Sequence, residues 1–366
     1  MKLAENLNEI KPTGVIGLMS GTSLDGLDCC YAEFSHSKGR FYFSNMIAHT
    51  YPYDDEQKNF LRAAFHGNSD QLKQTDQEFG RYLSEKVKHF IGQHHLENKV
   101  SLISSHGHTV FHEPAKGLTV QIGNGDLMNA LTGIPVINDF RIKDVQLGGQ
   151  GAPLVPVGDH YLFNQYEACL NLGGFSNISL IHQCKRIAFD IAPCNLPLNI
   201  VCEKYLNIPF DQGGSIAAGG KCYQPLLHKL NAIPYYQQQP PKSLGYEWLK
   251  HEFMPVVEEF PLPVEDLLNT LSQHIENQIS RVLNENKINE VLVTGGGAYN
   301  THLINMLKKS SCKITLPDHA IIDFKEALIF GFLGFLNLHD SINTFKSVTG
   351  AREDSTGGIR HFSHQQ

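Results

Sequence analysis

Residues 16–28, with the sequence IGLMSGTSLDGLD, lead from an apolar run into a turn rich in glycine, hydroxyl groups and acids. Glycines lack the Cβ atoms that would keep a ligand away from backbone N–H groups, and the hydroxyls of Ser20, Thr22 and Ser23 can donate to phosphate oxygens. Asp25 can hold a hydrated Mg²⁺ ion. The stretch therefore predicts a phosphate-binding turn, although the same residue types also fill ordinary hairpin turns.

Composition predicts a soluble globular protein of about two domains. The chain has 366 residues, 41% of them hydrophobic and 18% charged, with a net charge of -7. This balance disfavours nucleic acid and anionic membranes as partners, and neither the polar start (1–10) nor the longest apolar run (327–338) could span a membrane. The eight cysteines form no CxxC pair, which fits a reducing compartment and predicts a cytoplasmic location.

Strand and helix patterns follow each other along the chain in two similar series. Each series opens with three strands and continues with helices, the second one starting near residue 168. The predicted strands are 15–19, 29–34, 41–47, 100–104, 118–122, 135–138, 169–172, 178–181 and 186–189. The predicted helices are 54–65, 69–94, 126–131, 196–205, 220–230 and 264–283, the last with an apolar stripe that indicates core. The repetition predicts a duplicated α/β architecture.

Two further glycine turns strengthen the phosphate-binding hypothesis. Gly173 and Gly174 lie between two predicted strands and repeat the arrangement of the first turn. Residues 295–297 are three glycines that end a buried strand and open a helix, whose N-terminus favours anions. Two facing hairpins could clamp a phosphate chain. The familiar nucleotide signatures are absent, because 214–222 lacks the residues of a P-loop and 148–151 lacks the spacing of a dinucleotide-binding fingerprint.

A histidine cluster at residues 104–114 offers a competing hypothesis. His106 and His108 are expected on the same side of a strand, and with His112 and an acid such as Asp139 or Asp159 they could hold Zn²⁺. That arrangement would indicate a zinc-dependent hydrolase. Histidines also line sugar pockets and satisfy hydrogen bonds in cores.

Acidic and basic residues at element ends are candidates for the chemistry. Asp190 follows a short buried strand, so its carboxylate is a candidate general base for phosphoryl transfer. Arg141 suits a substrate carboxylate or, equally, an interdomain salt bridge, and Asp144 supplies another acid nearby. Glu326 begins the last long helix and could reach a site.

Several of these motifs, taken in order, resemble the anhydro-N-acetylmuramic acid kinases, which are sugar kinases of the actin, Hsp70 and hexokinase superfamily. The resemblance covers nearly the full length. The matching motifs are GLMSGTSLDG (17–26), SHGHTV (105–110), QIG (121–123), DFR (139–141), GGQGAPLVP (148–156), NLGG (171–174), Asp190 and GGGA (295–298).

The resemblance implies a two-lobed actin-like ATPase fold, with duplicated ribonuclease H-like domains around a central nucleotide cleft. Its first lobe would comprise residues 1–138 and 350–366, and its second lobe residues 139–349. The lobes would close over the substrates. A homodimer is one assembly that fits the resemblance.

The implied reaction is ATP-dependent. It opens the 1,6-anhydro ring of N-acetylmuramic acid with water and phosphorylates O6, giving the 6-phosphate for peptidoglycan recycling. Asp190 would activate the water, and His106, Arg141 and Glu326 would contact the sugar; the direct ligands of Mg²⁺ are left unassigned. The residues implied to bind ATP, with Mg²⁺ at the phosphates, are Gly21, Thr22, Ser23, Leu24, Asp25, Gly26, Leu27, Asp28, Gly173, Gly174, Gly295, Gly296 and Gly297.

The chain departs from the family pattern beside the expected base. The usual Asp-Thr-Gly-Pro is Asp190-Ile191-Ala192-Pro193 here, Asn199 replaces a usual acid, and the usual Gly-Asp-Gly is Gly123-Asn124-Gly125, followed by Asp126. Asp190 itself is retained, which favours activity. Two alternatives stay open: a non-catalytic sensor that binds nucleotide or sugar, and the zinc hydrolase.

Overall fold

The computed structural model describes residues 9–65, 67 and 69–362. Residues 1–8, which form most of the polar start, lie outside this part of the chain. So do residues 363–366, the last four of the predicted first lobe. Its strands are β1 (Ile10–Ser20), β2 (Gly26–Ser37), β3 (Arg40–Pro52), β4 (Leu102–Glu113), β5 (Leu118–Ile122), β6 (Val136–Asn138), β7 (Ala168–Leu172), β8 (Phe175–His182), β9 (Lys185–Pro193), β10 (Glu290–Thr294), β11 (Lys313–Thr315) and β12 (Ile359–His361).

The helices lie mainly between the strands of each series. They are α1 (Asp55–Ala64), α2 (Ser69–Gln93), α3 (Gly125–Thr132), α4 (Ile142–Gln146), α5 (Pro156–Leu162), α6 (Asn195–Leu206), α7 (Ser215–Gly219), α8 (Gln224–Asn231), α9 (Tyr246–Trp248), α10 (Met254–Glu258), α11 (Val264–Glu285), α12 (Thr301–Leu307), α13 (His319–Leu338) and α14 (Lys346–Thr349). Short 3-10 turns and one π-helical turn, Leu249–Phe253, complete the set.

Among the residues that the structure describes, the first compact unit comprises those within 9–162 and 324–362. Its sheet has the order β12-β6-β4-β1-β2-β3, with β5 paired to β4. The first three strands form an antiparallel meander, and β1 pairs in parallel with β4, which pairs in parallel with β6.

The second compact unit comprises residues 163–323 and repeats this arrangement. Its sheet has the order β11-β10-β7-β8-β9. Here too the first three strands form an antiparallel meander, and the first strand pairs in parallel with β10, which pairs in parallel with β11. Five strands with the same order and polarity in both units confirm the predicted duplicated α/β architecture.

Each unit has its own apolar core. Leu18, Leu27, Phe79 and Leu83 are among the buried residues of the first core. In the second, the stripe predicted on 264–283 is buried along α11, where it packs with strand residues such as Leu170. The predicted helix 220–230 is wrong in extent, since α8 begins at Gln224 and Gly219 ends the separate helix α7.

Strand β1 and helix α13 approach each other closely just before the first glycine turn. A Cβ atom on Gly17 would collide with the carbonyl oxygen of Ala327 and the backbone of Gly331. Only glycine therefore allows this contact. The strand that leads into the first turn is held directly against α13, whose second turn carries Lys325 and Glu326. The prediction that Glu326 begins this helix is wrong, because α13 begins at His319.

The compact units differ in extent from the lobes proposed from sequence. The divisions fall at 162/163 and 323/324, whereas the sequence placed them at 138/139 and 349/350. Long-range contacts explain the difference, because α5 packs beside β3 and Asp159 of α5 pairs with Lys325 of α13. In the described part of the chain, no helix has the length and apolar character needed to cross a membrane.

Candidate active site

The first glycine turn joins β1 to β2. The N–H of Leu24 donates to the carbonyl oxygen of Gly21 at 3.2 Å, and Leu24 has a left-handed φ of 59°. The side chains of Thr22, Ser23 and Asp25 are exposed. Three oxygen-bearing side chains on one tight turn are suited to an anion or to a hydrated cation.

The residues that follow the turn are directed inward. Gly26 is buried and Leu27 belongs to the core. Asp28 is half-buried on β2, and its Oδ1 accepts a hydrogen bond from Thr50 Oγ1 at 2.6 Å. Residues 26–28 of the predicted ATP site therefore face the interior of the first unit and support the turn.

Ser20, expected from sequence as a phosphate donor, has a different role in the structure. Its side chain is buried, accepts a hydrogen bond from Tyr53 Oη at 2.7 Å and lies 2.9 Å from Nδ1 of His108. The hydroxyl is engaged inside the protein, so it anchors the end of β1.

Removing the Tyr53 hydroxyl should weaken this anchor. We expect Tyr53→Phe to lower the free energy of unfolding by about 1–3 kcal/mol, because a buried polar group loses its partner. Urea denaturation measures this, with Tyr42→Phe, an exposed tyrosine of β3, as the control. Equal stabilities for the two variants would contradict the anchoring role.

The second and third glycine turns lie side by side in the second unit. A Cβ atom on Gly295, which has a φ of 83°, would collide with Oδ1 of Asn171, and one on Gly297 would lie 2.6 Å from Cβ of Leu172. Leu172 is followed directly by Gly173 and Gly174. The structure thus brings together two turns that the sequence could only propose separately.

Asp190 lies at the same end of this sheet. Register places Thr294, Asn171, Asn177 and Asp190 in one row across β10, β7, β8 and β9. Both glycine turns begin beyond this row. The candidate base is therefore at the edge of the sheet from which the turns project.

The Asp190 carboxyl group is half-buried and oriented by one hydrogen bond. Burial raises its pKa, and the N–H of Leu244, which donates to Oδ2 at 2.8 Å, counteracts this by favouring the charged form. A carboxylate with a raised pKa accepts a proton more readily than an ordinary one. The group is suited to general-base chemistry.

In the first unit, His106 and Arg141 form a clamp. Nε and Nη2 of Arg141 lie 3.1 and 2.9 Å from Nε2 of His106, and Nη1 donates to the carbonyl oxygen of Gly151 at 3.0 Å. His106 Nδ1 lies 3.0 Å from the carbonyl oxygen of Gly107. Burial and the charge of Arg141 lower the pKa of His106, so the neutral ring keeps Nε2 as an acceptor.

The expectation that His106 and His108 share a side is wrong. Gly107 has a φ of 72° and the register between β1 and β4 shifts there, so the alternation of side chains is interrupted. The His106 ring lies against Phe330 of α13, whereas the His108 ring lies against Phe79 of α2.

Glu326 is coupled to this clamp electrostatically. Its side chain is exposed, yet desolvation by the surrounding protein raises its pKa, as do Asp28 and Asp159, while Lys325 and Arg141 lower it. Desolvation lowers the pKa of Arg141, and Glu326 opposes that shift. The three predicted sugar contacts thus belong to one charged site of the first unit.

Two supporting groups have roles that the sequence did not predict. Lys325 and Asp159 form a buried ion pair at 2.6 Å beside Glu326. Asp144 is fully buried, with Oδ2 accepting from the N–H of Gly151 at 2.7 Å and Oδ1 accepting from Thr349 Oγ1 at 2.7 Å. The partners of these groups are either distant in sequence or backbone atoms, so local sequence patterns could not reveal these contacts.

The substituted Gly123-Asn124-Gly125 run is held from α2. Asp76 accepts from the N–H of Gly123 and from Asn124 Nδ2, both at 2.8 Å. Asp126, considered from sequence as a replacement acid, is instead paired with His361 at 2.6 Å.

The histidine cluster does not form a zinc site. Both ring nitrogens of His106 are within hydrogen-bond distance of protein groups, and His108 lies on the other side of the strand. Across the ranges that the structure describes, no group of three His, Cys, Asp or Glu side chains is placed to hold a metal.

Comparison with known proteins identifies the family. The family model described as anhydro-N-acetylmuramic acid kinase matches residues 13–362. The chain belongs to the anhydro-N-acetylmuramic acid kinase family. Proteins of that name from Pseudomonas fluorescens and Sulfurimonas denitrificans are 36% and 31% identical to it, over 92% and 94% of this chain and 96% and 98% of their own.

Solved structures add little to this assignment. The activator of 2-hydroxyisocaproyl-CoA dehydratase from Clostridium difficile, with bound ADPNP, aligns over 88% of this chain and 94% of its own, with 11% identity and a TM-score of 0.42. Such a likeness is too low to support an argument about fold or function. Family membership makes the chain a sugar kinase and ATP its phosphoryl donor.

Proposed function

We propose that this anhydro-N-acetylmuramic acid kinase family member opens 1,6-anhydro-N-acetylmuramic acid with water and phosphorylates O6, with Asp190 as the base. Water adds to the anomeric carbon, its proton goes to Asp190 and the bond from that carbon to O6 breaks. O6 takes the γ-phosphoryl group of ATP, and ADP leaves. The products are N-acetylmuramic acid 6-phosphate and ADP.

The observation that carries the proposal is the placement of Asp190. It lies in the same row as the residues that precede two glycine turns, with its carboxyl group held by Leu244 N–H. Its raised pKa makes proton uptake from water easier at neutral pH than for an ordinary aspartate. Ile191 and Ala192, where the chain departs from the family pattern, lie beyond this row on β9.

The glycine turns are proposed to hold ATP. Residues 21–28 would bind the phosphates through the backbone and through the exposed hydroxyls of Thr22 and Ser23, and Gly173 and Gly174 would also contact phosphate. Gly295, Gly296 and Gly297 would lie beside the adenosine. The exposed carboxylate of Asp25 suits a hydrated Mg²⁺ ion, which neutralises phosphate charge when bound.

The charged site of the first unit is proposed to bind the sugar. His106 and Gly151 hold Arg141 so that its remaining N–H groups can take the lactyl carboxylate that distinguishes muramic acid from glucosamine. Glu326 is a candidate acceptor for sugar hydroxyls.

Arginine at position 141 should be required for affinity. We expect Arg141→Lys to raise KM for the anhydro sugar about tenfold or more, since a lysine cannot make the paired contacts, while KM for ATP stays unchanged. Steady-state kinetics measure both constants, with exposed Arg352→Lys as the control. An unaltered sugar KM would remove Arg141 from the binding site.

For the cellular compartment we propose the one that the sequence predicts. All eight cysteines are free thiols, which supports a reducing compartment, and we propose the cytoplasm. A homodimer stays a prediction.

The experiment that tests this function is a coupled ADP-release assay with ATP, Mg²⁺ and 1,6-anhydro-N-acetylmuramic acid. We expect ADP release that depends on the sugar and falls when 1,6-anhydro-N-acetylglucosamine, which lacks the carboxylate, replaces it. ATP binding without ADP release would instead support the non-catalytic sensor. Activity that depends on stoichiometric zinc would support the hydrolase.

A further inference from the structure

A segment of the second unit covers the open edge of β9 at Asp190. This strand is the edge strand of its sheet, so its outer backbone groups need partners from elsewhere. Asp190 N–H donates to the carbonyl oxygen of Lys242 at 3.2 Å, and Tyr235 Oη donates to the carbonyl oxygen of Asp190 at 2.7 Å. Tyr235 and Lys242 supply these contacts, and together with Leu244 they are named here the brace.

The brace also reaches the carboxyl group. Its last residue, Leu244, is the donor to Oδ2 of Asp190 described above. The N–H, the carbonyl oxygen and the carboxylate of one residue are therefore bound by three members of one segment. Adjacent residues of β9 contribute no polar side chain to this task, because they are Phe189 and Ile191.

A β-bulge explains why Asp190 needs such support. Ser176 pairs with Ala192 and Asn177 pairs with Asp190, so β9 carries one extra residue at this point. A bulge changes the direction of the neighbouring side chains and interrupts the ladder that would otherwise fix them. The orientation of Asp190 then depends on contacts from outside the sheet.

Tyr235 is itself firmly placed. It is buried, its ring centroid lies 5.3 Å from that of Trp248, and Lys242 Nζ lies 4.6 Å from its ring centroid. Burial and the charge of Asp190 raise the pKa of the phenol, so it remains a donor at all physiological pH values. The hydroxyl therefore keeps its bond to the Asp190 carbonyl oxygen.

We propose that Tyr235 is a positioning residue for the reaction, and that the brace holds Asp190 in the orientation needed to take a proton from water. This inference rests on the proposed function, in which Asp190 is the base. The brace provides this support from outside the strand, because Ile191 and Ala192 beside Asp190 offer no polar side chain.

The charged and titratable groups near Asp190 allow a test by pH. Tyr235 is coupled to Asp190 from the brace, Lys242 Nζ lies over the Tyr235 ring, and Arg281 and Glu285 of α11 act on Lys242. The Leu244 N–H lowers the pKa of Asp190 against the effect of burial. A loosened brace weakens that bond, so the pKa of Asp190 should rise further.

The test is Tyr235→Phe, which removes only the hydroxyl. We expect kcat to fall about tenfold from misalignment of the base, with KM for ATP and for the anhydro sugar unchanged. Because Asp190 must be deprotonated, the acidic limb of the kcat profile should move to higher pH. Thermal unfolding is measured in parallel, and kinetics are recorded below the transition of every variant.

Tyr236→Phe is the matched control. Tyr236 is the neighbouring buried tyrosine, and its hydroxyl lies 2.8 Å from Nε2 of His274 rather than at Asp190. It should lose stability but keep kcat and the acidic limb. Wild-type kcat and pH profile in Tyr235→Phe, or the same changes in both variants, would overturn the inference. Full activity in Asp190→Asn would instead overturn the proposed base, which separates the two failures.

Discussion

Replacing Asp190 by asparagine is expected to lower kcat by about 10²–10⁴-fold, the usual contribution of a general base. Asparagine keeps the shape of the side chain and can still accept from Leu244 N–H, so the fold and ATP binding should persist. The side chain can no longer take the proton of the attacking water. Steady-state ADP release at saturating ATP and sugar measures the effect.

The pH dependence of kcat tests the same role of Asp190 in a second way. Burial raises the pKa of Asp190, and the base is active only when deprotonated. Wild-type kcat should therefore fall on the acidic side at a pH above the ordinary range of aspartate, and this limb should be absent from the residual activity of Asp190→Asn. Glu258→Gln, in an exposed ion pair with Lys204, is the control and should keep the wild-type profile.

Breaking the buried pair between Lys325 and Asp159 is expected to have the largest effect on stability. Lys325→Met keeps the aliphatic stem but leaves the carboxylate buried without its cation, which costs about 3–5 kcal/mol of unfolding free energy. Chemical denaturation measures it. Adding Asp159→Asn to the same chain should recover part of the loss, because the unpaired charge is removed.

An exposed ion pair provides the comparison for this variant. Lys204 and Glu258 lie 2.6 Å apart with about half of each side chain exposed. Lys204→Met should change the unfolding free energy by less than about 1 kcal/mol, since water screens such pairs. If Lys325→Met were no more harmful than Lys204→Met, the buried pair would not hold α13 against α5.

The positions of many strands and the duplication were predictable because they depend on local patterns. Apolar runs separated by glycine turns mark the hairpins around Gly21 and Gly173, and the second series repeats the first. The close contact between Gly295 and Asn171 was not predictable in the same way. It depends on β7 and β10 being neighbours in the sheet, although they are far apart in the sequence.

The candidate site shows the same limit. Asp190 and Arg141 were identifiable as candidates by residue type and position at element ends. The inward role of Ser20 depends on Tyr53 and His108, which lie on other strands or loops. The separation of His106 from His108 depends on the positive φ of Gly107, which alternation rules do not include.

The brace was invisible to sequence patterns for a further reason. Two of its three contacts to Asp190 use the backbone of Lys242 and Leu244, so no side-chain type signals them. As a buried aromatic residue, Tyr235 has the features of an ordinary core residue. Only the register of β9 and its bulge show that the segment is placed to hold the base.

The mass of the sugar product tests the central claim most directly. After reaction of 1,6-anhydro-N-acetylmuramic acid with ATP, mass spectrometry should show a product heavier than the substrate by one phosphoryl group and one water molecule. That result means that the anhydro ring opened and that O6 received the phosphate. A product heavier by the phosphoryl group alone would mean that another hydroxyl was phosphorylated with the ring intact, and would contradict the role assigned to Asp190.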